Sequence, residues 1–169
     1  IINRVKNFLP QKSLKILYYS LFHCHLLYAL PIYSCTSNKN ISLLYKMQKK
    51  VIRNITKSTY HAETSPLFDR LNILPIPKLI TLNQSLLTHS IYHLHSPPAL
   101  HHTWTSLNAI TRNQSSLHLR NRFDLSIPFA KTEQVQKLPL ISFPTSWNKL
   151  PDFKFNSSQK EFKADLLNY

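Results

Sequence analysis

The sequence predicts a mainly α-helical protein: a helical amino-terminal module over residues 1–95, then a loop-rich region over residues 96–169. Two or three short strands are expected in that second region, with a closing helix at about 158–168. Three observations predict this. Apolar residues recur at about 100° per residue in three long stretches of the first module, the period of an α-helix. Prolines fall between these stretches rather than within them, at Pro10, Pro31, Pro66, Pro75, Pro77 and Pro97-Pro98,. Beyond residue 96 the apolar runs shorten, and Pro, Ser, Thr and Asn surround them,.

Ile1 to Leu9 reads as the last turns of an earlier helix; the chain begins with Ile and not Met, as expected of a piece cut from something larger. Pro10 suits the first position of the next helix. From Gln11 to Leu30, Leu14, Leu17, Tyr18, Leu21, Cys24 and Tyr28 recur at helical spacing, and Pro31 ends the run,. A polar loop over Thr36 to Lys39 precedes a helix from Asn40 to Ser58. Ser65-Pro66 starts a short helix, with Ser65 as its N-cap,. Pro77 opens the third long helix, which carries Leu79, Ile80, Leu82, Leu86, Leu87, Ile91 and Leu94 to about His95. The runs Leu117 to Leu119 and Leu138 to Phe143 are the strand candidates. Ser158-Gln-Lys-Glu161 is a capping-box pattern, followed by Phe162, Leu166 and Leu167 on one face,.

With 43% hydrophobic residues in 169, the chain can bury a core, so wholesale disorder is not expected,. The formal net charge of +14 points to a polyanionic partner,. The first 62 residues hold ten Lys and Arg and no Asp or Glu; all seven acids begin at Glu63. A coding strand poor in G would also thin out acids. It fits a chain with no glycine at all, where about 7% is usual,. Any turn that needs positive φ must then use Asn or Asp, and helix ends should be looser than usual.

Clustering of the charge is not explained by composition. In Asn40 to Ser58, Leu44, Met47, Val51 and Ile55 fall on one side of the helix. Lys46, Lys49, Lys50, Arg53 and Lys57 fall opposite, spaced i, i+3, i+4, i+7 and i+11 with no carboxylate among them. Such a ridge can track phosphates while its other face docks on a core, although a solvated face is the commoner use of a charge run. Arg4, Lys12 and Lys15 precede the ridge and add to the candidate nucleic-acid-binding set. Tyr19, Tyr33 and Tyr45 lie near these cations and can stack on bases; Tyr18 and Tyr28 are expected in the core,.

Other chemistries are poorly served. His89 and His93 sit one helical turn apart, with His95, His101 and His102 beyond, but their spacing matches no zinc template,. No metal site and no cofactor is expected. No two of the seven acids are placed to hold Mg²⁺ together, and there is no glycine-rich phosphate loop,. The chain is expected to catalyse nothing. Cys24 and Cys35 read as free thiols,. Between Lys15 and Lys39 there is no charged residue, but His23, His25, Ser20 and Pro31 argue for a core helix over a membrane span,. With no secretory signal or transit peptide in view, an intracellular place, cytoplasmic or nuclear, is expected, and no membrane partner.

Several segments together resemble the region after the polymerase palm in non-LTR, LINE-type retrotransposon reverse transcriptases. Leu9 to Leu21 with His25-Leu26-Leu27-Tyr28 is similar to the family's LP-K-L-YYSL-HLxYG run at the thumb. Leu44 to Arg53 resembles its L--LQKKAIR helix, and Pro66 to Ile76 its PLF--L-IL-I segment. Thr111-Arg112, Trp147 to Asp152 and Ser157 to Leu167 are similar to its TR pair, its WN-LP(D/E) block and its closing S--FK--L helix. The family has Gly where Ala29 stands and another before Trp147, and the Tyr-x-Asp-Asp palm motif and the endonuclease are absent. The resemblance implies a helical, thumb-like bundle from an RNA-directed DNA polymerase, holding the template–primer as RNA or RNA–DNA duplex. Lys49, Lys50 and Arg53 would lie on it, at the QKK-IR positions; Lys46 and Lys57 rest on periodicity alone. It also implies a partner, the missing palm, where the parent enzyme keeps its Mg²⁺. Two alternatives stand beside it: a decayed fragment that does not fold alone, and a membrane-associated peptide anchored through residues 15–39.

Overall fold

The structure, a computed structural model, describes residues 1–28, 30–101, 125, 127–151 and 158–168. It is mainly helical, and among the described residues all the regular structure is helix. The chain divides into two compact units, Ile1–Ile80 and Thr81–Tyr169. The division falls inside the third long helix, ahead of the change of composition at residue 96.

In the first unit, α1 (Ile2–Val5) leads into α2 (Gln11–Tyr18), with Pro10 as the N-cap, one position earlier than expected. Leu14 and Tyr18 are fully buried, as their spacing requires. The uninterrupted helix expected to Leu30 does not form. A π-helical turn occupies Tyr19–His23, closed by the Cys24 N–H donating to the Tyr19 carbonyl, before α3 (Cys24–Leu27). A π-turn holds one residue more than an α-turn and rotates the helix beyond it. Leu21 and Cys24 therefore turn outward, and Leu26 is buried in their place. At Tyr28 ψ swings to 102° and the helix stops, leaving this expected core residue 83% exposed. Pro31 does not terminate the run; it sits in the first turn of a new short helix, α4 (Leu30–Tyr33), where its missing N–H costs nothing,. The uncharged stretch between Lys15 and Lys39 is thus divided among several short helices. No helix among the described residues is long and apolar enough to cross a membrane.

Next come α5 (Asn38–Thr56), α6 (Ser65–Leu71) and α7 (Ile76–Tyr92). Ser65 is the first residue of α6, with Thr64 at the cap and Pro66 in the first turn. Ile2, Leu14, Tyr18, Ile52, Ile55, Phe68, Leu71 and Ile73 form one core from α1, α2, α5 and α6. Lys15 ties two of these elements: its Nζ donates to the Leu71 carbonyl at 2.5 Å, a cation at the carbonyl end of α6,.

In the second unit, Ile91, Leu125, Phe143, Trp147, Leu150 and Phe162 pack together. The strand expected over Leu138 to Phe143 is a correction: Leu138 is the N-cap of α9 (Pro139–Asn148), preceded by α8 (Glu133–Gln136). Six apolar-rich residues fit either structure. The helix is decided by Pro139 in the first turn and by Ile141, Pro144 and Trp147, buried at three-residue spacing,. The other strand candidate, Leu117 to Leu119, lies outside the described residues, as do Ala29, Thr111-Arg112, Asp152 and Ser157. The closing helix, α10 (Gln159–Asn168), buries Phe162 and partly buries Leu166, but Leu167 faces out.

Helix ends are not loose. Three of them close with the same bond pattern around a residue in the left-handed region: Lys57 (φ 53°), Asn72 (φ 51°) and Leu94 (φ 59°). Behind each, an N–H reaches back five residues, from Ser58 to Arg53 O, Ile73 to Phe68 O and His95 to Ser90 O, at 2.8–3.0 Å,. Only Asn72 is of the residue type expected there. A Cβ in this conformation costs roughly 1–2 kcal/mol, which the carbonyl bonds offset. Leu94 is 72% exposed and has little packing to lose. Leu94→Gly should therefore raise stability by about 0.5–1 kcal/mol, after subtracting glycine's greater freedom in the unfolded chain. Urea melts of the two proteins check this; a lower midpoint for the variant would show that the Leu94 side chain holds the turn.

Candidate nucleic-acid interface

α5 is positioned by a polar residue. Gln48 is fully buried, and both ends of its amide are engaged: Nε2 donates to the Tyr18 hydroxyl at 3.0 Å and to the Leu74 carbonyl at 2.9 Å. Its Oε1 accepts the Ile76 N–H at 2.9 Å. One side chain thus joins α2, α5 and the start of α7. With Ile52 and Ile55 it centres the buried strip, so the inner face is rotated toward Gln48 from the face expected on Leu44, Met47, Val51 and Ile55. Leu44 and Val51 sit at its margin, and Met47 is 57% exposed.

The rotation keeps the cations outward. Lys46 and Lys50 are exposed, and no carboxylate among the described residues pairs with them; the ion pair seen there is Lys137–Glu133, in the other unit. Lys49 is partly buried, its ammonium 4.2 Å from the centre of the Tyr45 ring. Arg53 is partly buried too: its Nε–H donates to the Ala62 carbonyl at 3.0 Å, and its guanidinium lies 5.9 Å from the Tyr60 ring centre. Lys57 is exposed, but it has left the helix; its left-handed backbone ends α5, so the i+11 spacing does not apply to it.

The helix also begins earlier than expected, at Asn38, which brings Lys39 onto it. Lys39 is exposed and stands seven residues, two turns, before Lys46,. The polar loop expected over Thr36 to Lys39 is thus shorter, and Lys39 belongs to α5. The row that faces solvent is therefore Lys39, Lys46 and Lys50, with Lys49 and Arg53 along its edge and Lys57 beyond its end. Arg4 and Lys12 are exposed on α1 and α2, the helices that cover the buried face of α5, and do not continue the row. Lys15 is engaged at the end of α6 and is removed from the phosphate-contacting set.

Among the described residues the histidines range from exposed (His25, His61 and His95) to buried (His89). His89 is fully buried, stacked 4.4 Å from Phe162 at 17°, with the His93 ring also at 4.4 Å. Among the described residues no three of His, Cys, Asp and Glu come together as metal ligands; His102 and Asp124 lie outside them. Neither Cys24 nor Cys35 forms a disulfide.

His23, on the π-turn, packs its ring against Tyr18 and Tyr19 at 5.7 and 5.0 Å. Burial holds its pKa below the usual 6.5, and its Nδ1 is enclosed without a hydrogen-bond partner. The neutral ring thus contributes stability that is fully present above pH 6.5 and is lost as pH falls through the lowered folded value. His23→Phe should reduce the loss of stability between pH 7 and pH 5. Denaturation midpoints at the two pH values test this, and equal losses in both proteins would remove His23 as a source.

No protein-family model matches the chain, and neither curated proteins nor solved structures give a match.

Proposed function

We propose that this chain is the nucleic-acid-gripping part of a non-LTR retrotransposon reverse transcriptase. It holds RNA or RNA–DNA duplex through phosphates, without sequence preference and without catalysis of its own. The observation that carries the reading is the outward face of α5, where among the described residues no carboxylate pairs with Lys39, Lys46 or Lys50. They lie opposite a strip buried by Gln48, Ile52 and Ile55. A straight row of ammonium groups on a rigid helix neutralises successive phosphates and releases their counterions. The setting favours this: residues 1–80 hold twelve Lys and Arg against Glu63 and Asp69.

The thumb-like sequence blocks supply the family. Within them, Gln48 of the Gln48-Lys49-Lys50 block is the side chain that orients α5, and Lys50 is on its open face. The implied palm partner finds support in apolar side chains left in solvent on the same unit, Phe8, Ile16, Tyr28 and Ile32,.

A salt titration of binding to RNA–DNA duplex tests the proposal. With about three to five phosphates contacted, log K should fall against log salt with a slope of roughly −3 to −4.5, alike for unrelated sequences. A flat dependence, or strong preference for one sequence, would remove phosphate gripping as the function.

A further inference from the structure

We infer that Tyr60 is a stacking platform for one unpaired nucleobase, set at the carboxy-terminal end of the cationic row. The inference rests on the reading of α5 as a phosphate-contacting helix and adds the class of ligand: a single strand, or the unpaired end of a duplex.

Tyr60 is 76% exposed, in the loop that follows the left-handed turn at Lys57. An exposed aromatic in a loop is ordinarily free to rotate. This one is held. The Arg53 Nε–H donates to Ala62 O at 3.0 Å, which ties the loop to the last turns of α5. The same guanidinium lies over one face of the Tyr60 ring, 5.9 Å from its centre. The His61 ring meets it at 89° with centres 5.2 Å apart, and the Ala62 N–H donates to Thr59 O at 3.2 Å to close the turn. The ring is therefore backed by a cation while the side chain stays 76% exposed, accessible to a ligand from solvent.

That is the arrangement a base needs. Base–aromatic stacking tolerates any sequence, since every base has a π-face, and a ring already fixed loses little rotamer freedom on binding. The flanking phosphates would meet Lys57, exposed three residues before Tyr60, and Lys50, in the last two turns of α5. Tyr18 has no such role, being fully buried, and Tyr45 lies stacked on Phe68 at 6.3 Å with Lys49 over it.

The test compares two ligands on the full chain: a blunt RNA–DNA duplex and a single-stranded oligonucleotide carrying 2-aminopurine. Tyr60→Ala should weaken the single strand about tenfold. It should also abolish the 2-aminopurine quenching, and leave blunt-duplex affinity and both salt slopes unchanged. Tyr60→Phe, which keeps the π-face and loses only the hydroxyl, should bind as the parent does. Unchanged single-strand affinity and quenching in Tyr60→Ala, with duplex binding intact, would overturn the platform and leave the phosphate reading standing. Loss of single-strand binding in Tyr60→Phe as well as in Tyr60→Ala would overturn stacking, because the hydroxyl would be the contact. Failure of the parent chain to bind either ligand would end both readings together.

Discussion

Replacing Lys46, Lys50 and Lys57 together by glutamate should lower affinity for RNA–DNA duplex by on the order of a hundredfold or more at low salt, and should reduce the salt slope by about three. Three phosphate contacts are removed, and three like charges are then set against the backbone. All three side chains are exposed and none holds a hydrogen bond to the rest of the unit, so the fold should survive. Of the three, only Lys57→Glu sits at the carbonyl end of α5, where it opposes the helix dipole by only about 0.3–1 kcal/mol,. Arg53 is left in place because its Nε–H supports the 58–64 loop, and its loss would mix structural damage with lost charge. Lys12→Glu, on a helix covering the other face of α5, serves as the control and should move the slope by less. A Lys12→Glu effect as large as the average effect per lysine in the triple variant, one third of the total, would mean that net charge, and no particular face, draws the polyanion. Circular dichroism and binding isotherms on the parent and these variants suffice.

The helical class was legible in the sequence, and so were α2, α5, α6 and α10 at their starts within a residue or two, because each pairs an apolar stripe with a Pro or polar residue there. The cationic side of α5 was legible for the same reason: Lys46 and Lys50 are four apart and nothing acidic intervenes. The features that escaped did so for physical causes. The π-turn at Tyr19–His23 leaves no mark on a 3.6-residue period except to break it, so Leu21 and Cys24 fall on a face that the extra residue rotates away, and Tyr28 lies where the helix stops. Lys57 looked helical because nothing announces a left-handed end in a chain without glycine. Leu138 to Phe143 is too short to distinguish strand from helix by period; it becomes readable only when extended to Trp147. Gln48 was hidden because a binary pattern counts an amide as surface. A signal was present: Gln48 stands midway between Leu44 and Ile52, four residues from each, inside an apolar row.

Gln48→Ala should cost about 3–5 kcal/mol, on the scale of roughly 5–15 kcal/mol that holds a whole domain. The substitution removes the partner of two buried groups, the Tyr18 hydroxyl and the Ile76 N–H, and of the part-buried Leu74 carbonyl. Each stranded group costs about 1–3 kcal/mol, and any water entering the vacated space recovers part of that. The effect has a signature beyond the melt. Burial raises the Tyr18 pKa above 10.0, and the hydrogen bond from Gln48 works in the opposite direction. Removing the amide should therefore push the Tyr18 pKa higher still, delaying the phenolate absorbance in an alkaline titration of the folded protein. Tyr18→Phe in the same background should restore about 1 kcal/mol, since the hydroxyl then no longer needs a partner; additive losses would mean the two residues are not coupled. The binding consequence separates orientation from charge. Gln48→Ala alters no cation, yet it frees α5 to turn about its axis and rotate Lys46 and Lys50 away from the surface they share. Duplex affinity should fall while the net charge stays at +14. Undiminished affinity in a folded Gln48→Ala protein would mean that the ridge does not depend on the side chain that sets its direction.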